Sequence, residues 1–273
     1  MTVLTIVPAT VEFFTVVAFA LAAVLLNTID GRGFLASAVV GFSVIYGGGL
    51  PWFVMVAVFF TLGVVFTLYK YGYKRRLGSA QEKGGARSWP NILANGGTVS
   101  AIALLNLTGP TTGLSVMFLG AISTSAADTV ATELGLLSHK KPRLITNLTR
   151  TVTPGTSGGV TLLGVLGAVF ASLVIGSMAF FLGLMSTQLE VVPICVIGGV
   201  FGAIFDSLSG AVVQRRGYCV ICHKPTEALR HCGESSHVTG GIRHIENNVV
   251  NLLATVVGAA TSLAVFLVLI PII

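Results

Sequence analysis

Apolar residues run along this chain in long stretches separated by short polar connections. Eight stretches stand out, at 11–27, 34–47, 52–69, 92–107, 113–137, 158–185, 191–213 and 247–273. A helix needs about 20 apolar residues to cross the hydrocarbon of a bilayer. Lipid offers no partner to a backbone N–H or C=O, so only helices and closed barrels span it. The stretches lack the apolar–polar alternation of barrel strands. The pattern therefore predicts an all-α polytopic bundle of about eight transmembrane helices. The second and fourth stretches are short and contain glycine, and are expected to be tilted, broken or partly re-entrant. The sixth is long enough to tilt or kink. No internal repeat or long linker interrupts the pattern, so residues 1–273 read as a single membrane domain. Within it, residues 214–245 form a Cys- and His-containing loop.

Composition supports this reading. The chain is 53% hydrophobic and only 10% charged, with a mean hydropathy of +0.89. A soluble domain is usually about a quarter charged, so a water-soluble globule is excluded. Glycine is frequent, and in membranes small residues let helices approach closely.

The placement of the 16 Lys and Arg residues is more informative than the formal charge of +6. Arg32 follows the first stretch. Lys70, Lys74, Arg75, Arg76, Lys83 and Arg87 follow the third. Lys140, Lys141, Arg143 and Arg150 follow the fifth, and Arg215, Arg216, Lys224, Arg230 and Arg243 follow the seventh. The alternate connections, 48–51, 108–112 and 186–190, hold none. By the positive-inside rule the basic loops are cytoplasmic and both termini lie outside. No basic residue precedes Glu12, so the charged start of a signal peptide is missing and the first stretch is expected to be a retained span.

Of the ten acids, Asp128, Glu133 and Asp206 fall inside stretches, toward their basic ends. Ionisable groups at such depth are costly unless paired, so they mark a functional site or an internal salt bridge. Asp128 and Glu133 are five residues apart, about 140° around a helix, and would not share one face. Asp206 and Ser209 do share a face. Ser123, Thr124 and Ser125 precede Asp128; they either line a polar cavity or pack against a neighbouring helix.

The loop after stretch five carries Lys141 and Arg143, then Gly155, Thr156, Ser157, Gly158 and Gly159. Amides of a Gly-rich turn at a helix start form an anion site, although the Lys of a P-loop is absent. A plain capped helix start is the competing reading. Arg87 is placed to clamp a phosphate, and Asn95 sits just inside the membrane. Most of the bases from Lys70 to Arg76 are expected only to set topology. In the last basic loop Cys219, Cys222, Cys232 and His237 fit tetrahedral zinc, with His223 and His231 as alternatives. Reduced structural thiols are the competing reading, and Cys195 reads as a core residue. Asn247 and Asn251 share a face at the start of the last stretch, as ligands or as helix-to-helix glue.

Six short motifs then occur in order: Asn95-Gly96-Gly97; Ala127-Asp128-Thr129 with Glu133-Leu134-Gly135; Lys141-Pro142-Arg143-Leu144; Gly155-Thr156-Ser157-Gly158-Gly159; Asp206-Ser207-Leu208-Ser209-Gly210; and Asn247-Asn248-Val249-Val250-Asn251. Together they resemble the membrane family of the plastid phytyl-phosphate kinase and animal transmembrane protein 19. That family is distantly similar to dolichol kinase and phosphatidate cytidylyltransferase. The resemblance implies a CTP-dependent kinase that converts an isoprenyl monophosphate to the diphosphate in the bilayer. It further implies that Asp128, Glu133 and Asp206 hold Mg²⁺ or orient phosphates, with Arg143 beside them. Lys141 and residues 155–159 would cradle phosphates, and Asn95, Asn247 and Asn251 would complete the site. The alternatives are a CTP-using cytidylyltransferase or lipid-alcohol kinase, and an ion-coupled transporter. No nucleic-acid partner is expected.

Overall fold

A computed structural model describes residues 8–81, 83–185, 188–223, 225–226 and 229–269. The helices are α1 (Ala9–Leu25), α2 (Gly31–Leu68), α3 (Tyr71–Arg76), α4 (Trp89–Asn106), α5 (Thr112–Gly135), α6 (Leu162–Phe181), α7 (Gln188–Val212) and α8 (Asn247–Leu269). Among the described residues, five helices (α2, α5, α6, α7 and α8) are long and apolar enough to cross a membrane. The last residues of the eighth stretch, 270–273, lie outside the described residues.

The second and third stretches join in α2, which spans 38 residues and is broken at Gly49, where φ is +73°. Only glycine adopts such a backbone cheaply, and Pro51 restarts the helix just after it. The halves fold back on each other. A side chain at Gly41 would meet Phe53, and Arg87 lies against both Gly33 and Gly63. A straight helix would hold Gly33 and Gly63 about 45 Å apart. The second and third stretches are therefore the two arms of a helical hairpin.

The sixth stretch corrects differently. Its first residues are not helical: Gly159 and Val160 form a strand, and Thr161 caps α6 by accepting from the Gly164 amide at 3.0 Å. That leaves a helix of 20 residues, which spans without needing the extra length.

The even-numbered connections meet at one end of the bundle. Gly47, Gly48, Asn106, Thr111, Thr112 and Met185 line one hollow there, and the Asn106 amide donates to the Gly47 carbonyl at 2.8 Å. The opposite end carries the basic connections and the β-structure. Strands β1 (Arg143–Leu144), β2 (Asn147–Thr151) and β3 (Gly159–Val160) form an antiparallel sheet in the order β2-β1-β3. Strands β4 (Arg216–Tyr218), β5 (Pro225–Thr226) and β8 (His237–Gly240) form a second, ordered β5-β4-β8. Strands β6 (Arg230–His231) and β7 (Glu234–Ser235) make a hairpin.

Helix α5 is the central post, packed against α2, α4, α6, α7 and α8. Small residues allow this. Thr124 on α5 bonds the Gly198 carbonyl of α7 at 3.2 Å, Ser123 bonds the Cys195 carbonyl at 2.7 Å, and Ser262 of α8 bonds the Ile194 carbonyl at 3.2 Å. A Cβ at Gly258 would sit 1.8 Å from the Thr124 hydroxyl oxygen, far inside contact distance. Gly258→Ala is expected to cost about 1–3 kcal/mol by overpacking, read as a lowered midpoint of denaturant unfolding in detergent. Adding Thr124→Ala should recover part of the loss.

Candidate functional site

The polar site forms where α5, α7 and α8 reach the basic end. Asp128 is in the last third of α5, Asp206 in the last two turns of α7, and Asn247 and Asn251 in the first two turns of α8. The carboxyls of Asp128 and Asp206 lie within hydrogen-bonding reach of one another. With its amide nitrogen facing these acceptors, Asn251 lies 3.1 Å from Asp206 Oδ2 and 2.8 Å from the Asn247 carbonyl. Asn251 is buried and both aspartates are half-buried. Two carboxylates this close repel unless a proton or a cation lies between them. Two carboxylates are hard oxygen donors, the kind that suits Mg²⁺, while the Asn251 nitrogen orients Asp206. The residues present therefore fit that ion. The preceding hydroxyls are packing groups: Ser123, Thr124 and Ser125 are buried and bonded to carbonyls of neighbouring helices.

The structure does not bring Glu133 to this pair. Its Oε2 accepts from the Lys74 ammonium at 2.5 Å, and its Oε1 from the Thr67 hydroxyl at 3.0 Å. Both charged side chains are almost wholly buried, at 1% and 4% exposure. Lys74 also bonds the carbonyls of Phe66 and Thr67. Glu133 is thus the internal salt bridge, tying α5 to α2 and α3, and its assignment as a metal ligand is corrected. The cause is the 140° offset noted above. Lys74 is the exception among the bases from Lys70 to Arg76, most of which are expected only to set topology. The missed signal was the need of a buried carboxylate for a cation on another element.

The Gly-rich turn packs on the end of α7. Gly155 and Gly158 have positive φ, +82° and +76°. A Cβ at Gly158 would lie 2.5 Å from the Ala211 Cβ, so the turn presses directly on α7 backbone. Gln214 donates to the Ser157 hydroxyl at 3.3 Å. The contact at Gly210 is one helical turn beyond Asp206. Thr156 shares a hydroxyl bond with Thr153 at 2.9 Å, and the Gly159 amide closes on the Thr156 carbonyl at 2.9 Å. Lys141 and Arg143 are exposed. The Arg143 guanidinium donates to the Leu148 carbonyl of its own hairpin and is not directed at the aspartates. Asn95 is buried, and its amide donates to the Asn91 carbonyl at 2.9 Å. Its carbonyl accepts from Ser125 at 3.0 Å, on the same face of α5 as Asp128.

Arg87 is placed more deeply than a loop residue should be. Its amide donates to Thr28 at 2.9 Å and its carbonyl accepts from Asp30 at 3.2 Å. Its guanidinium lies 5.4 Å from the Phe59 ring centre and 5.9 Å from that of Phe60, an arrangement that favours a cation. Burial draws its pKa down to about 10, opposed by the charge of Glu133, so it remains cationic at neutral pH. With Asn95 and Ser37 it supplies the polar groups of a cleft otherwise lined by apolar side chains and glycine, among them Phe19, Phe53, Val99 and Ile122. Nearby, the Lys83 ammonium at 2.7 Å holds the Asp30 carboxyl below its usual range.

In the last basic loop, ligand atoms of Cys219, Cys222, His231 and Cys232 all lie within 4.8 Å of one another. His237 instead pairs across the sheet with Tyr218, so His231 replaces it in the expected set. The Cys219 thiol is drawn down to about 6, chiefly by the Cys222 amide and also by His231 and the Ile221 amide. Cys195 is buried in the helical core.

Residues 14–259 match a family model described as integral membrane protein DUF92. The chain belongs to this family. Members of similar sequence include an uncharacterized membrane protein of Methanocaldococcus jannaschii, 29% identical over 87% of this chain and 86% of the relative. Protein PGR of Arabidopsis thaliana is 29% identical over 81% of this chain and 84% of its own length. Protein VTE6, chloroplastic, also of Arabidopsis thaliana, is 27% identical over 70% of this chain and 58% of its own length. No solved structure matches. The DUF92 match covers Asp128, Asp206, Asn247, Asn251, the Gly-rich turn and the Cys/His loop. Membership agrees with the resemblance carried by the six motifs and makes the chain an integral membrane protein.

Proposed function

We propose that this chain is a CTP-dependent kinase of an isoprenyl monophosphate of the phytyl or geranylgeranyl kind. The observation that carries the reading is the meeting of Asp128 and Asp206, from two helices, beside Asn251 of a third. The motif resemblance to the phytyl-phosphate kinase family supports the substrate class. So does the setting, since an isoprenyl tail needs apolar surroundings and its phosphate needs polar ones.

Phosphoryl transfer depends mainly on positioning and charge neutralisation. An oxygen of the lipid monophosphate attacks the γ-phosphorus of CTP. The bond from that phosphorus to the β-phosphate oxygen breaks, and CDP leaves. The acceptor oxygen is already ionised, so no residue must remove a proton. Asp128 and Asp206 would hold Mg²⁺, which would neutralise charge on the phosphates. Asn251 and Asn247 fix the orientation of Asp206. The Gly-rich turn, one helical turn away, offers Ser157 and Thr156 hydroxyls to phosphate oxygens. Arg87 and Asn95 put a cation and an amide beside an apolar cleft suited to the tail. The acids gather at one end of the bundle, which suits lipid-headgroup chemistry better than a central ion path.

The test is an assay of the purified protein in detergent with geranylgeranyl phosphate, Mg²⁺ and CTP labelled at the γ-phosphate. Label is expected in the lipid diphosphate, with CDP as co-product. A CDP-linked lipid with release of pyrophosphate would replace the kinase reading with a cytidylyltransferase. Absence of both products overturns it.

A further inference from the structure

We infer that residues 216–240 form a zinc-binding module whose four ligands are Cys219, Cys222, His231 and Cys232. Three thiols and an imidazole are the donor types of a closed, four-coordinate zinc site. Their spacing also fits. Bond lengths of about 2.3 Å to sulfur and about 2.0–2.1 Å to nitrogen give a tetrahedron with N···S edges of about 3.5 Å. His231 Nδ1 lies 3.5 Å from Cys222 Sγ and 3.3 Å from Cys232 Sγ.

Two tight turns present the ligands. The first follows β4, where the His223 amide closes on the Cys219 carbonyl at 3.0 Å. The amides of Cys222 and Ile221 point at the Cys219 sulfur. The second is the turn between β6 and β7. Its pairings, Arg230 with Ser235 and His231 with Glu234, leave Cys232 and Gly233 as a two-residue loop. Both have positive φ, +54° and +84°, the form in which Asn-Gly is usual. A cysteine there is held in the left-handed region that favours glycine and asparagine, and metal ligation accounts for its presence.

The segment has little else to hold it together. Its strands are two to four residues long. Among its described residues only Gly217 and Cys219 are buried, while Val220, Ile221, Leu229 and Val238 are exposed. A unit this small with no apolar core needs a staple. A disulfide would join two of the four groups and leave the others unexplained.

The position of the module gives the metal a role. It lies between α7, which carries Asp206, and α8, which carries Asn251. Arg215, fully buried, anchors it: its amide donates to Ile245 at 2.7 Å and its guanidinium to the Ser236 hydroxyl at 2.6 Å. The Ile242 amide donates to Val213 at 2.9 Å. The metal thus fixes the connection that sets one helix against the other. This inference does not rest on the kinase reading.

The experiment is metal analysis of the full-length protein, purified without an immobilised-metal step and dialysed against zinc and then against buffer. About one zinc per chain is expected. His231→Ala and Cys222→Ser should lose it, and His237→Ala should keep it. Cobalt(II) loading of the wild type should give the intense visible bands of a tetrahedral thiolate site, absent in His231→Ala. Cys222→Ser is read only if it elutes as the wild type does; the two histidine variants and the cobalt spectrum test the site without it. Wild type without zinc and without cobalt bands overturns the inference. So does loss of zinc in His237→Ala but not in His231→Ala, or thiol titration showing a disulfide among the three cysteines.

Discussion

Asp128→Asn is expected to lower phosphate transfer to the isoprenyl phosphate by on the order of 100-fold or more. The substitution keeps the shape of the side chain and its hydrogen bond to Asp206 but removes the charge that a cation would meet. Asp206→Asn should have the same effect. The double variant should fall little further, because groups that act as one unit do not contribute additively. Stability should be unchanged or slightly raised, since two like charges in reach of each other become one. The check is the rate of label transfer across a Mg²⁺ titration, beside the unfolding midpoint of each variant. Transfer within a few-fold of wild type in Asp128→Asn would remove the metal assignment.

Lys74→Met should behave in the opposite way, with a large loss of stability and normal chemistry in the protein that folds. The substitution strands the Glu133 carboxylate, which is 4% exposed, with only the Thr67 hydroxyl. Breaking a buried ion pair from one side costs about 3–5 kcal/mol. Glu133→Gln should be milder, because the Lys74 ammonium keeps the carbonyls of Phe66 and Thr67. Lys74→Met with Glu133→Leu should recover much of the loss, as apolar replacement of a buried pair often does. Denaturant titration in detergent measures all three. A Glu133 variant that folds normally but cannot transfer phosphate would return Glu133 to the active site.

The bundle was legible because its signals are strong and local. Long apolar runs and the alternation of bare and basic connections located the spans, including the second and third stretches, which Gly49 and Pro51 fold into a hairpin. Helix starts were less legible. The apolar run from Val160 onward hides where α6 begins, and only the pairing of β3 with β1 shows that Gly159 and Val160 belong to a sheet. In the site, Asp128, Asp206 and Asn251 stood out as polar groups in apolar runs. The partner of Glu133 did not, since Lys74 lies 59 residues away in a run of bases that all look topological. Arg143 and Lys141 were named for their charge, and charge alone does not say which way a hairpin turns. The histidine ligand was chosen by spacing along the chain, whereas the turn between β6 and β7 brings His231 to the cysteines.

The two ends of the bundle are unlike, with short bare connections at one and the aspartates, basic loops and small sheets at the other. A transferase built this way is sided. If the chain is the kinase proposed above, it would draw its lipid from a single leaflet and return the product to the same one, and an isoprenyl phosphate in the other leaflet would need a flippase before it became a substrate.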